Sequence, residues 1–398
     1  MKTMTKGPIR ILWTDEIAGW KSDTMFTRKQ SEETLNFHKS LPVYQETELQ
    51  SFSSVAHSYG VRKILVKDES ARFGLKAFKG LGVSYAIFRL LCEKFGMNDR
   101  AADFKDFQKE AIRKQCEMIE FVTATDGNHG KGVAWASSIF GCKSHVYMPK
   151  GTVEARRKAI EDAGASNAVI TDLNYDQVVT YVEKLAQEKD WILVQDTSWE
   201  GYEEVPRWII EGYLTMAAEI ENQMEGERPT HIFLQAGVGS MAGGMAAYYR
   251  NRYQDNPPMI TIVEPEQVAC IYLSAEMADG KPHTVEGDPV TIMAGLNCGT
   301  PCSIIWPILR DGVSFYCACE DCITEEGMRA YACPQPGDPS IVSGESGAVT
   351  YGLLLEILKD NELRKLWKID EESVILLIST EGATDPEGYE RIIKKERD

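Results

Sequence analysis

The sequence has no long hydrophobic run. No stretch of its 398 residues approaches a membrane span, and the N-terminal MKTMTKGPIRILWTDEIAGW carries scattered charges where a signal peptide needs an unbroken apolar core. An excess of basic residues is also missing, because 43 Lys and Arg stand against 60 Asp and Glu and the formal net charge is -17. This balance argues against nucleic acid or an anionic membrane as the main partner. We therefore expect a soluble protein of the cytoplasm.

Cysteine occurs ten times, but the sequence lacks the spacing of a usual zinc site. Cys317, Cys319 and Cys322 lie close together with Cys333 beyond, yet no second CxxC pair and no nearby histidine completes a ligand set. In a cytoplasmic chain cysteines are usually reduced thiols, and free cysteine packs as a small hydrophobe. We predict no bound metal.

Repeats and low-complexity linkers are absent as well, so composition marks no domain boundary. The length suffices for about two domains, and 43% hydrophobic with 26% charged residues is typical of globular proteins.

Glu46 to Tyr59 carries apolar residues at helical spacing and is predicted to be a helix. From Ile119 to Gln195, and again from Pro206 to Ile378, strand and helix patterns alternate. This order predicts an α/β fold with mostly parallel sheets, whose ligands gather at the carboxyl ends of the strands.

One lysine stands where a strand passes into a helix. The stretch VKDESARFGLKAFKGLG, Val66 to Gly82, begins at the end of an apolar strand, and a helical pattern starts just after Phe78 and Lys79. A lysine there is half buried, and burial disfavours the ammonium form, so that a neutral amine becomes available for Schiff-base chemistry. The ordinary alternative is a lysine whose stem lines a surface while its charge stays in water.

The run AGVGSMAGG lies between a strand and a helix and is rich in glycine, at Gly237, Gly239, Gly243 and Gly244. Glycines let the main chain approach an anion at the N-terminus of a helix. The N–H groups that would surround a phosphate belong to Val238, Gly239, Ser240 and Met241. A dinucleotide fingerprint is the alternative, because Ala242 fits its last position and Glu264 ends the next strand, where a ribose-binding acid would lie. The run alone does not distinguish NAD from another phosphate ligand.

The loop TDGNHG, Thr125 to Gly130, follows another strand. Its exposed N–H groups are suited to a substrate carboxylate, and Asn128 is suited to a ring oxygen. The alternatives are structural, since Asp126 is a common type of helix N-cap and His129 is equally an ordinary buried polar residue.

Two further strand ends carry polar side chains. Asp196 stands in QDTSWEG, and Ser379 and Thr380 stand in STEG, where a hydroxyl would meet a ring nitrogen. Ordinary turn chemistry is the alternative for each. Together, however, an amine, a phosphate loop, an asparagine loop and a terminal hydroxyl meet the needs of pyridoxal phosphate: its aldehyde, phosphate, ring oxygen and pyridine nitrogen.

The motifs KDESARFGLKAFK, TATDGNHGKGVAWA, VYMPKG, VQDTSWEGY, LQAGVGSMAGG, TIMAGLNCG, SGESGA and ISTEGATD extend over about Leu41 to Asp385. On these motifs the sequence resembles the fold-type II pyridoxal phosphate enzymes of the tryptophan synthase beta-like superfamily, and among them the diaminopropionate ammonia-lyase family. The resemblance implies two three-layer α/β/α domains with the cofactor between them. The large domain would comprise residues 1–83 and 195–398, the small one residues 84–194, and the enzyme would be a homodimer.

The resemblance also implies roles for single residues. Lys79, after Phe78, would form the Schiff base, and Asn128 would contact the ring hydroxyl. Ser379 or Thr380 would meet the pyridine nitrogen. The phosphate contacts would be Gly237, Val238, Gly239, Ser240 and Met241.

The implied reaction is α,β-elimination of 2,3-diaminopropionate, of either isomer, to pyruvate and two ammonia. Related hydroxy amino acid dehydratases carry serine where Asp126 stands, and the carboxylates of Asp126 and Asp196 suit a β-ammonium group. Lys79 would take the α-proton of the L-isomer and Asp126 that of the D-isomer, while Thr125 and His129 complete the expected substrate contacts. A dehydratase on the same fold and an NAD-dependent dehydrogenase remain as alternatives.

Cys270 and Cys298 lie in two further matching motifs, EPEQVAC and GLNCG. A disulfide between them is an open alternative to free thiols, although it would be unusual in the cytoplasm.

Overall fold

The structure is a computed structural model, and it describes residues 1–15, 20, 25–125, 127–287 and 289–395. In these residues the strands are β1 (Lys2–Lys6), β2 (Ile9–Trp13), β3 (Leu49–Ser51), β4 (Lys63–Asp68), β5 (Glu120–Ala124), β6 (Lys143–Met148), β7 (Asn167–Ile170), β8 (Ile192–Leu193), β9 (His231–Gln235), β10 (Met259–Pro265), β11 (Phe315–Cys319) and β12 (Val374–Ser379). The α-helices are α1 (Arg28–Ser40), α2 (Ser53–Ser58), α3 (Lys79–Lys94), α4 (Glu110–Cys116), α5 (Asn128–Phe140), α6 (Glu154–Asp162), α7 (Tyr175–Lys189), α8 (Glu204–Gln223), α9 (Ser240–Arg252), α10 (Cys270–Met277), α11 (Trp306–Gly312), α12 (Asp321–Ala332), α13 (Glu345–Lys359), α14 (Asn361–Trp367) and α15 (Pro386–Lys394).

Eight strands form the larger sheet, in the order β1-β2-β11-β10-β9-β12-β4-β3. The strands from β11 to β4 are parallel, whereas β1, β2 and β3 pair antiparallel with their neighbours. Strands β9 and β12 are buried along their whole length, as expected of a parallel sheet covered on both faces. Because β9 and β12 run in the same direction, the glycine run after Gln235 and the hydroxyl of Ser379 lie at the same edge of this sheet.

The smaller sheet has the order β7-β6-β5-β8, and all of its strands are parallel. Its helices begin and end at residues with clear capping chemistry. The Asn174 side chain accepts a hydrogen bond from the N–H of Gln177 at the start of α7, and Gly141 ends α5 with φ of 80°. Apolar side chains cover both faces of this sheet, with Val122 and Val178 in one cluster and Val146 and Ile160 in the other. The predicted α/β fold with mostly parallel sheets is confirmed.

The predicted helix from Glu46 to Tyr59 is wrong in its first half. Leu49–Ser51 forms β3, which pairs antiparallel with β4, and only Ser53–Ser58 is helical. The N–H of Phe52 donates to the carbonyl of Ile64 at 2.9 Å. A sheet edge that can satisfy main-chain groups overrides the weak helical preference of a short segment.

The chain divides into two compact units. One comprises residues 1–28, 46–71 and 216–398 and contains the larger sheet; the other comprises residues 29–45 and 72–215 and contains the smaller sheet. The second unit is thus larger than the small domain expected at residues 84–194. The expected domain limits stay a prediction.

Cys317 and Cys319 are buried in β11, whereas Cys322 and Cys333 are exposed. Burial raises the pKa of both buried thiols, so that they stay protonated. Among the residues that the structure describes, no group of three or more His, Cys, Asp or Glu side chains is placed to hold a metal ion. No helix in the same residues has the length and apolar character needed to cross a membrane.

Candidate active site

Lys79 is the first residue of α3 and lies directly after the buried Phe78. Its Nζ atom lies 5.5 Å from the centre of the Phe78 ring. Glycine holds α3 close to α8, since a Cβ atom on Gly82 would lie 2.6 Å from the carbonyl oxygen of Ile209. Gly82 therefore serves helix packing, and this packing fixes the point from which the Lys79 side chain projects.

Asp196 is the partner of Lys79. The Nζ atom lies 2.5 Å from Asp196 Oδ2, and the two side chains are 19% and 12% exposed. Burial alone would raise the pKa of the Asp196 carboxyl, but the charges of His129 and Lys79 and the hydrogen bond from Nζ lower it below its ordinary value. Because burial lowers the pKa of His129, its imidazole is neutral near pH 7, and Lys79 is the cation that keeps Asp196 ionised there.

His129 adds a nitrogen acceptor to this cluster. Its Nε2 lies 2.8 Å from the carbonyl oxygen of Val194, and because a carbonyl only accepts, Nε2 carries the proton and Nδ1 keeps its lone pair. Nδ1 lies 3.6 Å from Asp196 Oδ2 and has no hydrogen-bond donor among the described residues. A ligand ammonium in this place would find a neutral nitrogen acceptor beside a carboxylate.

The turn between β5 and α5 is organised by Thr125. Its Oγ1 accepts hydrogen bonds from the N–H groups of Gly127 at 3.0 Å and Gly130 at 3.1 Å. Asn128 is the first residue of α5. Asp126, which the sequence analysis expects to be catalytic and to bind substrate, lies outside the described residues. The ligand roles of Thr125, Asp126 and Asn128 therefore stay predictions.

The glycine run connects β9 to α9 through a turn that needs glycine. Gly239 has φ of 90°, in the left-handed region, and a Cβ atom on it would lie 2.8 Å from Leu309 Cδ1. In the part of the chain that is described, no main-chain hydrogen bond is donated by the N–H groups of Gly237, Val238 or Gly239. Three donors next to the N-terminus of a 13-residue helix are thus available to an anion.

The two hydroxyls at the end of β12 have different partners. Ser379 Oγ donates to Ser343 Oγ at 2.8 Å. Thr380 Oγ1 accepts from the side-chain amide of Gln235 at 2.9 Å, and the same amide donates to the carbonyl of Ile378 at 2.9 Å. The Thr380 hydroxyl therefore keeps its own proton for a further acceptor, whereas the proton of Ser379 is already used.

Glu264, the acid of the dinucleotide alternative, is engaged elsewhere. It is fully buried and accepts hydrogen bonds from the N–H groups of Ile271 at 2.8 Å and Tyr272 at 2.7 Å, at the start of α10. Burial raises its pKa to about 8. The adjacent Cys270 is a free thiol whose Sγ lies 3.5 Å from the carbonyl oxygen of Cys298, which is also a free thiol. Glu264 thus anchors the start of α10, and each of its two oxygens already accepts a main-chain hydrogen bond there.

The expected site residues fall into two sets, one in each compact unit. The unit of the smaller sheet brings Lys79, His129 and Asp196 together, and the unit of the larger sheet carries the glycine run and the strand-end hydroxyls. Gln235 and Ser343 orient those hydroxyls and were not predicted from the sequence. Both lie in or beside the quoted motifs LQAGVGSMAGG and SGESGA, but neither is a type of side chain that the cofactor chemistry calls for.

A family model described as "Pyridoxal-phosphate dependent enzyme" matches residues 41–381. Diaminopropionate ammonia-lyase of Salmonella typhimurium is 47% identical to this chain over 91% of the chain and 91% of its own length. The enzyme of the same name from Escherichia coli K12 is 43% identical over 94% of this chain and 93% of its own length.

Solved structures agree with these relatives. Holo diaminopropionate ammonia lyase from Escherichia coli has a TM-score of 0.90 and 40% identity, covering 97% of this chain and 96% of that chain. The same enzyme in complex with an aminoacrylate-PLP azomethine reaction intermediate has a TM-score of 0.88 at 40% identity, covering 97% of each chain. Maize serine racemase, at 20% identity, covers 92% of this chain and 96% of its own with a TM-score of 0.70, and shares the fold.

Proposed function

We infer that this chain, which belongs to the pyridoxal-phosphate dependent enzyme family and within it to the diaminopropionate ammonia-lyases, catalyses the α,β-elimination of 2,3-diaminopropionate to pyruvate and two ammonia. The observation that carries this inference is the cluster of Lys79, ionised Asp196 and neutral His129. It combines an amine that can form a Schiff base with a carboxylate and a nitrogen acceptor that can hold a second amino group.

The residues present fit pyridoxal phosphate. When bound, this cofactor supplies an aldehyde that condenses with an amine and a ring that withdraws electrons from the substrate α-carbon. Lys79 would hold it covalently beside Phe78, and Asn128 would contact the ring hydroxyl. The phosphate would lie on the N–H groups of residues 237–241, three of which have no main-chain acceptor in the described chain. The left-handed Gly239 makes this close approach possible.

Lys79 and Asp126 are proposed as the two bases. Lys79 Nζ would remove the α-proton of the L-isomer, and the Asp126 carboxylate would remove that of the D-isomer. Asp196, with His129 Nδ1 beside it, would hold the substrate β-ammonium until it leaves as ammonia. A carboxylate that stays ionised in a buried site is suited to this task, because its negative charge attracts the substrate ammonium.

The substrate is tested by measuring pyruvate release. D- and L-2,3-diaminopropionate and serine are compared as substrates of the purified, cofactor-loaded protein. We expect kcat/KM for at least one isomer of diaminopropionate to exceed that for serine by about a hundredfold, since only the diamine uses the Asp196 carboxylate. Higher activity on serine would replace this proposal with the dehydratase alternative.

Asp126→Asn should distinguish the two isomers. We expect it to reduce kcat for D-2,3-diaminopropionate by about a thousandfold and to affect the L-isomer far less, because only the D-isomer needs the Asp126 carboxylate as base. Steady-state pyruvate assays with each isomer measure the ratio. An equal loss for both isomers would contradict the assignment of two bases.

Thr380 is proposed as the partner of the pyridine nitrogen in preference to Ser379, because Gln235 donates to its oxygen and leaves its proton available. Thr380→Val, which removes the hydroxyl and keeps the shape, is expected to weaken cofactor affinity by about tenfold and to shift the visible absorption band. Ser379→Ala is the matched control and should leave the band in place. A larger spectral and affinity change in Ser379→Ala would reverse the assignment.

The cytoplasmic location and the homodimer stay predictions. Sedimentation of the holoenzyme tests the homodimer. One chain has a mass of 44.6 kDa, and a single species of twice this mass is expected.

A further inference from the structure

A cavity lies at the edge of the larger sheet opposite the glycine run. It is lined by Met259 and Phe315, which are the first residues of the parallel strands β10 and β11. The glycine run and Ser379 lie at the opposite edge, where the parallel strands β9 and β12 end. The volume of the cavity is about 430 Å³, within the range of small-molecule sites. The proposed reaction makes no use of this cavity.

Arg250 lines this cavity and has no counter-charge among the residues that the structure describes. The residue is 3% exposed, and the only hydrogen bond of its side chain in the described residues runs from Nε to the carbonyl oxygen of Gly312 at 2.7 Å. Its Nη2 is buried without an acceptor in that part of the chain. Burial lowers its pKa to about 10, so the guanidinium is still charged at neutral pH. A buried cation without an anion is unfavourable, and a bound anion would relieve this cost.

Trp20 supplies a second unused donor. Its Nε1 is also buried with no acceptor among the described residues, and Trp20 lines the same cavity. Trp20 and Arg250 both approach Gly312, where an added Cβ atom would lie 3.2 Å from Trp20 Cζ3 and 3.8 Å from Arg250 Cγ. Two neighbouring N–H donors with no acceptor in the described part of the chain are an exception, because buried polar groups in folded proteins are usually paired.

Polar side chains such as Thr14 and Ser314 form part of the remaining wall, and flat apolar side chains form another part. The apolar side chains include Trp13, Pro257, Pro258 and Phe315. Lys368 adds a second positive charge, and the acidic side chain in the lining, Asp15, forms an ion pair with Lys2. In the described lining the charge left uncompensated is therefore positive.

We propose that this cavity binds a small organic anion, a carboxylate or phosphate monoester joined to a flat apolar group. The anion would accept hydrogen bonds from Arg250 Nη2 and Trp20 Nε1, and the apolar group would lie against the aromatic and proline side chains. Lys368 would add charge attraction at the same site. The site is separate from the glycine run, because the two lie at opposite edges of one sheet.

Calorimetric titration of the holoenzyme with four probes tests this proposal. Benzoate and phenyl phosphate carry the expected anion, and benzyl alcohol and benzylamine share the ring without it. Holoenzyme is used so that the cofactor already fills the phosphate-binding loop. Both anions should bind saturably, and at least about tenfold more tightly than the neutral and cationic probes. The ratio of the two anion affinities tells a carboxylate site from a phosphate site.

Arg250→Met should weaken anion binding by about tenfold or more, with Arg252→Met as the matched control. Arg252 lies on the same helix, outside the cavity lining, with Nε 2.7 Å from Glu221 Oε1, and its substitution should leave affinity unchanged. Trp20→Phe, which keeps a ring and removes the N–H, gives a second test should Arg250→Met fail to fold. The proposal is overturned by a wild type that binds neither anion, by equal affinity for benzylamine, or by unchanged affinity in Trp20→Phe and in folded Arg250→Met.

Discussion

Lys79→Ala is expected to lower kcat for diaminopropionate by about four orders of magnitude or more. The substitution removes the amine that would join the cofactor, and with it the base proposed for the L-isomer. The purified variant should also lose the yellow colour that borohydride abolishes in the wild type, because no covalent link can form at this position. Pyruvate release and the visible spectrum before and after borohydride measure both effects.

Lys79→Arg separates the chemistry from the charge. An arginine can still pair with the buried Asp196 carboxylate, but it stays protonated and does not form a Schiff base. We expect this variant to be as inactive as Lys79→Ala while keeping a melting temperature closer to that of the wild type, since Lys79→Ala leaves a buried carboxylate unpaired. Retention of a tenth or so of wild-type kcat by either variant would exclude Lys79 as the Schiff-base residue.

Asp196→Asn is expected to lower kcat/KM for diaminopropionate by about a hundredfold or more. The asparagine keeps the shape but removes the negative charge that faces Lys79 and, in our proposal, the substrate β-ammonium. Turnover of serine, which has no β-amino group, should fall much less. If both substrates lose activity by the same factor, Asp196 serves Lys79 alone and does not bind the second amino group.

The same substitution gives a pH-dependent change in stability. The pKa of Asp196 is lower in the folded protein than its ordinary value of 3.8, so its stabilising effect is complete above that pH and is lost as the pH falls through and below it. We expect Asp196→Asn to have a lower melting temperature than the wild type near neutral pH, and the difference to shrink below about pH 3.8. A difference that does not change across this range would contradict the ion pair as its source.

Much of the fold can be predicted from sequence because its strands are short apolar runs separated by capping residues. The alternating strand and helix patterns predicted from Ile119 to Gln195 correspond to β5 through β8, with α5, α6 and α7 between them. The failure at Leu49–Ser51 has a clear origin. A segment with helical spacing became an edge strand because β4 offered main-chain partners, and such partners are distant in sequence.

Part of the candidate site can also be predicted from residue types alone. Lys79, Asp196 and the glycine run are recognised by chemistry that each residue type carries by itself. Gln235 and Ser343 contribute through hydrogen bonds to Thr380 and Ser379. These bonds join residues more than thirty positions apart, and no sequence spacing predicts them. Thr125 Oγ1 also accepts hydrogen bonds within its own turn, and its expected contact with substrate stays a prediction.

The ion pair between Lys79 and Asp196 makes loading of the apoprotein a proton-coupled event. Condensation with an aldehyde needs the uncharged amine, whereas a buried carboxylate at 2.5 Å favours the ammonium. The Lys79 ammonium has to give up a proton before it can act as a nucleophile, so reconstitution is expected to slow as the medium becomes more acidic. The ion pair between Lys79 and Asp196 is thus also expected to lower the reactivity of the apoprotein toward other aldehydes.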